Sequence, residues 1–236
     1  FVGSGSSMSH ERDFADGSGH GTHGAGLIAA TANNSRGVVG VGSCANVKIM
    51  PIRVLGDNGR GSSIEIERGV KWAADNGAHI INLSLGFTST DRSGNRTHFG
   101  RSLYNMLAGR NIVVFAAAGN DGYRNGAAGP GGGIRWHFPS SYDQVISVAA
   151  TSNSGRLTSF SNHCKKVDIA APGSNVLATI KGGRYGRMSG TSMATPVAAG
   201  AYALALASVQ KGLDDSGRMD ERDALKLVNK ALLRNG

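Results

Sequence analysis

The sequence of 236 residues lacks any uninterrupted apolar run of the roughly 18 residues that a membrane-spanning helix needs. It also lacks the nucleic-acid-binding motifs that would give meaning to an excess of positive charge. Its 25 Lys and Arg residues outnumber its 16 Asp and Glu residues, but they are scattered along the chain. We therefore expect a globular protein with a solvated basic surface and with no membrane and no nucleic acid among its partners.

Cysteine is scarce, since the chain contains Cys44 and Cys164 alone. Neither lies in a CxxC pair or at metal-ligand spacing from a histidine, which argues against a zinc site and against a disulfide framework. We expect two buried, unpaired thiols rather than a mutual disulfide.

Glycine, in contrast, is abundant at 36 residues. No three-residue period accompanies it, so a collagen-like helix is excluded. The glycines instead predict tight turns and close approaches between backbone segments.

Short apolar runs alternate with amphipathic stretches along the chain. The predicted strands cover residues 47–55, 79–86, 111–119, 144–150 and 166–173. The predicted helices cover residues 63–77, 101–110, 192–210 and 220–233. This order predicts one α/β domain over residues 1–236, with a doubly wound, mostly parallel sheet and helices on both faces. Ligands of such sheets bind at the carboxyl ends of the strands.

The glycine-rich stretch GSGHGTHGAG at 17–26 places His20 and His23 three residues apart. A zinc site would need further ligands, and the glutamate of the common helical zinc motif is missing. A phosphate loop would need a preceding strand and a GK[ST] ending. A third interpretation, which we favour, is that one imidazole serves as a general base for a hydroxyl nucleophile.

Two other stretches offer partners for such a base. GTSMATP at 190–196 opens a helix with Ser192 in its first turn, where free backbone N–H groups favour negative charge. AAAGN at 116–120 ends a buried strand with Asn120, whose amide could donate to an oxyanion. Taken alone, Ser192 is more simply a helix cap and Asn120 a turn residue.

GHGTH, AAAGN and GTSMATP, in this order, resemble the motifs of the subtilisin-like serine proteases, the subtilase family. NLSLG (82–86), TSFSN (158–162) and DIAAPG (168–173) are similar to further stretches of that family. The resemblance implies a subtilisin-like fold and a serine endopeptidase that hydrolyses polypeptides without a catalytic cofactor. It implies His20 as general base, Ser192 as nucleophile and Asn120 as oxyanion donor, with His23 in a structural role.

The resemblance also implies two strands that hold an extended substrate. Gly119 and the region around His137 and Phe138 would line the pocket for the residue before the cut. The two substrate-binding strands would be formed by Ser84, Leu85 and Gly86 on one side and by Gly59, Arg60 and Gly61 on the other.

In the family, the aspartate that orients the histidine lies upstream in an Asp-Thr-Gly or Asp-Ser-Gly motif, and no such motif precedes His20 here. Asp13 and Asp16 are poor replacements. We therefore expect the domain to be N-terminally incomplete, lacking its first strand, with the Asp supplied by a missing or separate N-terminal segment. The alternative is a catalytically inactive pseudoprotease that binds peptides or a partner protein.

The loop TANNSRGV at 31–38 resembles a structural calcium-binding loop of many subtilases. By that resemblance the ligands would be the Asn34 side chain and the backbone carbonyls of Ala32, Arg36 and Val38. The resemblance further suggests a secreted protein that is made as a zymogen with a pro-segment.

Overall fold

The structure is a computed structural model that describes residues 15–91, 100–129 and 133–214. Its helices are α1 (His20–Ala29), α2 (Ser63–Asp75), α3 (Arg101–Gly109) and α4 (Thr191–Asp214). Its strands are β1 (Ile80–Leu83), β2 (Phe87–Asp91), β3 (Val113–Ala117), β4 (Ala127–Ala128), β5 (Ile134–Phe138), β6 (Ile146–Thr151), β7 (Ile169–Pro172), β8 (Val176–Ile180) and β9 (Arg184–Met188). The predicted helix at 220–233 lies outside the described residues.

The central sheet has the order β1-β3-β6-β7, and all three strand pairs are parallel. Helices cover both of its faces, with α4 and α1 on one side and α2 and α3 on the other. β3 is buried at every position, as its continuous apolar run predicts. The predicted α/β class with a parallel sheet is confirmed.

Helix α4 fills the centre of one face. By length and apolar composition its Thr191–Val209 stretch could also cross a membrane, but half of that stretch is buried inside the protein. It packs against β1, β3, β6 and β7, so its apolar character is explained by the core.

Helix α2 begins where its sequence predicts. The Ser62 hydroxyl accepts the Glu65 N–H at 3.2 Å, and the Glu65 carboxylate accepts the Ser62 N–H at 2.7 Å. This capping box satisfies two N–H groups that a helix start otherwise leaves unpaired. It therefore fixes the point at which the preceding loop joins α2.

The predicted strand at 47–55 is wrong, because the structure assigns no strand there. A strand needs a hydrogen-bonded neighbour, and none of the described residues forms a ladder with this segment. Its Ile49 and Met50 side chains are exposed. The cysteine prediction is half right: both thiols are unpaired, but Cys44 is exposed and Cys164 is only half-buried.

Two smaller sheets lie around the carboxyl edge of the central sheet. β2, β5 and β4 form an antiparallel sheet, and β8 and β9 form a hairpin that leads into α4. β2 follows β1 along the chain and β8 follows β7, so each small sheet is connected to a carboxyl end of the central sheet, the edge at which such sheets bind ligands.

Candidate active site

Three chain segments meet at the carboxyl edge of the central sheet. Ser84 follows β1, Asn120 follows β3, and Ser192 lies in the first turn of α4. The Ser192 hydroxyl donates to the Ser84 carbonyl at 3.3 Å. The Asn120 amide oxygen accepts the N–H of Thr191, the residue before Ser192, at 2.8 Å. The structure thus brings together the predicted nucleophile, oxyanion donor and substrate strand.

The direction of the Asn120 amide is set by Thr191. The Thr191 hydroxyl donates to the Asn120 amide oxygen at 2.9 Å and accepts the Gly119 N–H at 3.2 Å. Since the amide oxygen of the exposed Asn120 already accepts two hydrogen bonds from Thr191, its NH2 group is the end that remains to donate. Sequence reasoning assigned no role to Thr191, because the sequence shows only that a hydroxyl residue precedes the candidate nucleophile and not where that hydroxyl points.

Pro196 frees the backbone carbonyl of Ser192. A proline has no N–H, so Pro196 cannot make the helical hydrogen bond to the carbonyl four residues earlier. That Ser192 carbonyl instead accepts the Ser84 hydroxyl at 2.8 Å. Together with the bond from the Ser192 hydroxyl to the Ser84 carbonyl, this ties the start of α4 to the end of β1 at two points.

Asn162, a fully buried residue of the TSFSN stretch, anchors the turn that follows β3. Its amide oxygen accepts the Asp121 N–H at 2.9 Å, and its NH2 group donates to the Ala118 carbonyl at 3.0 Å. Gly119 adopts a φ of 102° beside the Asn162 amide, a backbone geometry that favours glycine. This turn places Asn120 at the end of a rigid strand.

His20 is the first residue of α1, which packs against α4 near Gly24 and Pro196. Within the described residues, His20 makes no hydrogen bond to Ser192 or to a carboxylate. Burial and the neighbouring His23 lower the pKa of His20, while the Asp16 charge raises it by a smaller amount. The net effect keeps the imidazole neutral near pH 7, which is the form that can accept a proton.

The Asp16 carboxylate caps the start of helix α1, and within the described residues it makes no hydrogen bond to the His20 ring. Its carboxylate accepts the N–H groups of Ser18, Gly19 and Thr22 at 2.7–3.0 Å and the Thr22 hydroxyl at 2.7 Å. Burial works to raise the Asp16 pKa, but these hydrogen bonds outweigh it and lower the pKa to about 2. The carboxylate is therefore ionised at neutral pH and already engaged by the helix start.

His23 lies one turn further along α1 and is fully buried. Its Nε2 contacts the Val176 carbonyl at 3.0 Å and joins α1 to β8. This position fits the structural role that the resemblance implies.

His137 lies in β5, and its ring packs against the backbone that follows β1 and β3. Its ring is so close to Gly86 and Gly119 that a Cβ on either glycine would lie within 2.9 Å of a ring atom. Burial lowers the His137 pKa to about 4, although Asp121 and a backbone hydrogen bond at Ala117 work to raise it. A neutral imidazole thus packs against the two glycines that follow β1 and β3.

The predicted calcium loop offers oxygen ligands but few of them. The Asn34 amide oxygen accepts the Arg36 N–H at 3.0 Å, and Asn33, Ser35 and Gly37 all have positive φ values. Within the described residues no group of three or more His, Cys, Asp or Glu side chains could hold a metal. The four predicted ligands fit calcium in type, but calcium takes about six to eight oxygens, commonly including carboxylates.

The sequence matches the model of the Subtilase family, Peptidase_S8, over residues 2–233. A thermostable alkaline protease of Halalkalibacterium halodurans is 41% identical over 207 residues, which are 86% of this chain and 51% of that protein. Subtilisin BL of Lederbergia lenta is 41% identical over 189 residues, or 80% of this chain and 63% of that protein. The chain therefore spans between half and two thirds of the length of these two relatives.

Among solved structures, a cold adapted subtilisin-like serine proteinase superposes with a TM-score of 0.68 at 29% identity. The match covers 93% of this chain and 70% of that one.

Proposed function

The chain belongs to the subtilase family, and on that premise we propose that it is a serine endopeptidase that cleaves polypeptides. Ser192 attacks the scissile carbonyl while His20 accepts the hydroxyl proton and later delivers it to the leaving amine. The Asn120 NH2 group and the Ser192 N–H donate to the oxyanion of the tetrahedral intermediate. Substrate lies as an added strand between Ser84–Gly86 and Gly59–Gly61.

The observation that carries this proposal is the locked amide of Asn120. Two hydrogen bonds from Thr191 hold its oxygen, which leaves the NH2 group beside the first turn of α4. A donor that is fixed in advance does not have to reorganise when negative charge develops on the substrate. A simple turn residue would not need this arrangement.

We further propose that the carboxylate orienting His20 comes from a segment upstream of this sequence, in the same chain or docked to it. In support, β1 has β3 as its one described partner, and residues 47–55 form no ladder. The side chains of Val39, Ile49 and Met50 in this part of the chain are 63%, 41% and 38% exposed. An added strand would cover such surface and satisfy the free edge of β1.

The alternative is a pseudoprotease that binds peptides without cleaving them. It is favoured by the Ser192 hydroxyl, which donates to the Ser84 carbonyl rather than to His20. Catalytic hydrogen bonds are, however, often formed only once substrate is bound.

A serine-directed fluorophosphonate separates the two functions. The protein, with and without an upstream segment, is incubated with the reagent and the adduct is located by mass spectrometry. We expect an adduct on Ser192 that Ser192→Ala abolishes. No adduct on either form, while peptide binding persists, would establish the pseudoprotease.

We propose calcium as a structural ion at the loop formed by Ala32, Asn34, Arg36 and Val38, with water or another segment completing the ligands. The ion would stabilise the turn after α1 and would take no part in peptide hydrolysis. Addition of calcium should raise the Tm by a few degrees relative to EDTA, and Asn34→Ala should remove that increase.

We also propose that the protein acts outside the cell after removal of a pro-segment, which the family membership supports.

A further inference from the structure

The hairpin of β8 and β9, which leads into α4, carries charge of one sign. Lys181 lies at its tip, and Arg184 and Arg187 lie on β9. All three residues are exposed, and residues 169–213 contain no Asp or Glu that could offset them. Protein surfaces commonly intersperse both signs of charge, so an element with cations alone favours a ligand of opposite charge.

These cations are bound to neutral groups rather than to carboxylates. The Lys181 ammonium donates to the Gly17 carbonyl, and the Arg187 guanidinium donates to the Asn175 carbonyl at 2.7 Å. In the part of the chain that the structure describes, no carboxylate forms an ion pair with Lys181, Arg184 or Arg187. An ammonium has three N–H donors, so Lys181 can hold Gly17 and still donate to a ligand.

The acidic residues around Gly17 are already engaged. Asp16 accepts hydrogen bonds from the start of α1, and Asp57 pairs with Arg53 at 2.7 Å. Neither carboxylate therefore neutralises the hairpin, and its positive charge remains available to a ligand.

The tip of the hairpin lies beside the residues that lead into α1. Lys181 reaches Gly17, and a Cβ on Gly19 would lie 3.7 Å from the Lys181 side chain. Gly19 directly precedes His20. In the proposed mechanism His20 delivers a proton to the leaving amine, so the substrate segment after the cut departs past His20 and the elements beside it. The hairpin tip is one of these elements.

The backbone of the hairpin holds its cations in fixed places. β8 and β9 pair at five successive positions, and Ala178 at the centre of β8 is fully buried. The Thr179 hydroxyl donates to the Thr22 carbonyl at 2.9 Å and joins the hairpin to α1. Charges on such an anchored strand lose less freedom on binding a ligand than charges on a loose loop.

The tip leaves open space between two of the cations. Lys181 and Arg184 flank Gly182 and Gly183, whose φ values of 81° and 69° favour glycine. A Cβ on Gly183 would meet none of the described atoms within 4 Å. A carboxylate can therefore approach the backbone between Lys181 and Arg184 without a clash.

We propose that this tip binds an Asp or Glu side chain of the substrate downstream of the cut, with Lys181 and Arg184 as specificity-determining residues. Arg184 supplies a planar fork of N–H donors that matches a carboxylate, and Lys181 adds a second positive charge on the side of His20. Arg187 strengthens the positive potential along the hairpin. This inference rests on the proposed function for the direction in which the substrate runs.

The test compares peptides that differ at one position. Glutamate or its uncharged isostere glutamine is placed in turn at each position of a short peptide, and the bond that is cut is located by mass spectrometry. Affinity is measured by fluorescence anisotropy on Ser192→Ala, so that it does not depend on cleavage, and kcat/KM is measured with Ser192 intact. We expect glutamate to exceed glutamine by about threefold at one position after the cut, and the preference to vanish at high salt.

Arg184→Gln removes one charge without breaking a hydrogen bond of the described residues, and it should reduce the preference by about half. The double variant Lys181→Gln with Arg184→Gln should reduce it to near one. Lys48→Gln is the matched control, because Lys48 is an exposed cation of another segment, without an ion pair among the described residues. It should leave the preference unchanged.

Equal binding of the glutamate and glutamine peptides at every position would overturn the inference. So would a preference confined to positions before the cut, one that survives the double variant, or one that Lys48→Gln weakens equally. A preference for glutamate that the double variant abolishes, without cleavage or a Ser192 adduct, would sustain binding at the tip and remove the proposed function. Cleavage without the preference would do the reverse.

Discussion

The two sides of the candidate site differ in how completely they are built. On the Asn120 side, Thr191, Gly119 and Asn162 hold the proposed oxyanion donor through buried and partly buried hydrogen bonds. On the His20 side, the imidazole has neither a carboxylate nor Ser192 as a hydrogen-bond partner within the described residues. Among the described strands, β1 pairs with β3 alone. The comparison teaches that the described residues fix the Asn120 amide in place but leave the His20 imidazole without an orienting partner, which is why we propose that another segment orients it.

The test with the largest expected effect adds the proposed upstream segment to the protein. A longer chain, or a separate strand peptide that carries its aspartate, should raise the rate of peptide cleavage by about 10⁴, because the carboxylate fixes the histidine tautomer. Cleavage rate and Tm are measured together. The matched control is the same segment with Asn in place of its Asp, which should raise the Tm equally without raising the rate. An equal gain in cleavage rate with the control segment would refute the proposal that an upstream carboxylate orients His20.

The second test removes the proposed oxyanion donor, the Asn120 amide. Asn120→Ala should lower kcat by about 10² to 10³ with little change in KM, the range found when one such donor is removed, for which a subtilisin is the standard example. Steady-state kinetics separate the two parameters. A loss confined to KM would make Asn120 a substrate-binding residue instead.

A smaller effect is expected for the residue that orients this donor. Thr191→Val keeps the shape of the side chain but removes the hydroxyl between Gly119 and Asn120, and it should lower kcat by about tenfold. Thr191→Ser, which retains the hydroxyl, should stay near the parent value. An equal loss in both variants would point to packing rather than hydrogen bonding.

The smallest expected effect concerns Asp16. Its negative charge raises the His20 pKa, so Asp16→Asn should lower that pKa and move the acid limb of the kcat/KM profile to lower pH. A profile that moves to higher pH would contradict this assignment.

The same variant tests the stability that the Asp16 carboxylate confers. Its pKa is lowered from 3.8 to about 2, so its contribution is fully present above about pH 4 and is lost as the pH falls towards 2. After allowance for solvent screening, Asp16→Asn should cost about 1 kcal/mol at pH 7 and almost nothing at pH 2. Urea unfolding at both pH values measures the difference.

The sequence predicts those features that depend on near neighbours. The helix that begins at Ser63 and the continuous apolar run of β3 depend on residues a few positions apart, so both could be read directly. The placement of Ser84, Asn120 and Ser192 followed from a family resemblance, since these residues lie far apart along the chain.

The features that the sequence could not predict depend on distant partners. Residues 47–55 have the composition of a strand, but a strand forms only beside a neighbour that pairs with it. The role of Thr191 required coordinates, because the direction of an amide is decided by the groups around it. The exposure of Cys44 likewise depends on what packs over a short turn.

The proline within α4 has a mechanical consequence. Because the Ser192 carbonyl is held by the Ser84 hydroxyl, a shift of the peptide-binding strand should displace the attacking oxygen with it. Replacement of Pro196 by alanine would return an N–H to the helix and let it compete for that carbonyl, so the strand and the nucleophile could then move independently. Pro196, although a proline is usually regarded as a helix defect, would thus couple the position of a bound substrate to the position of the attacking Ser192 hydroxyl.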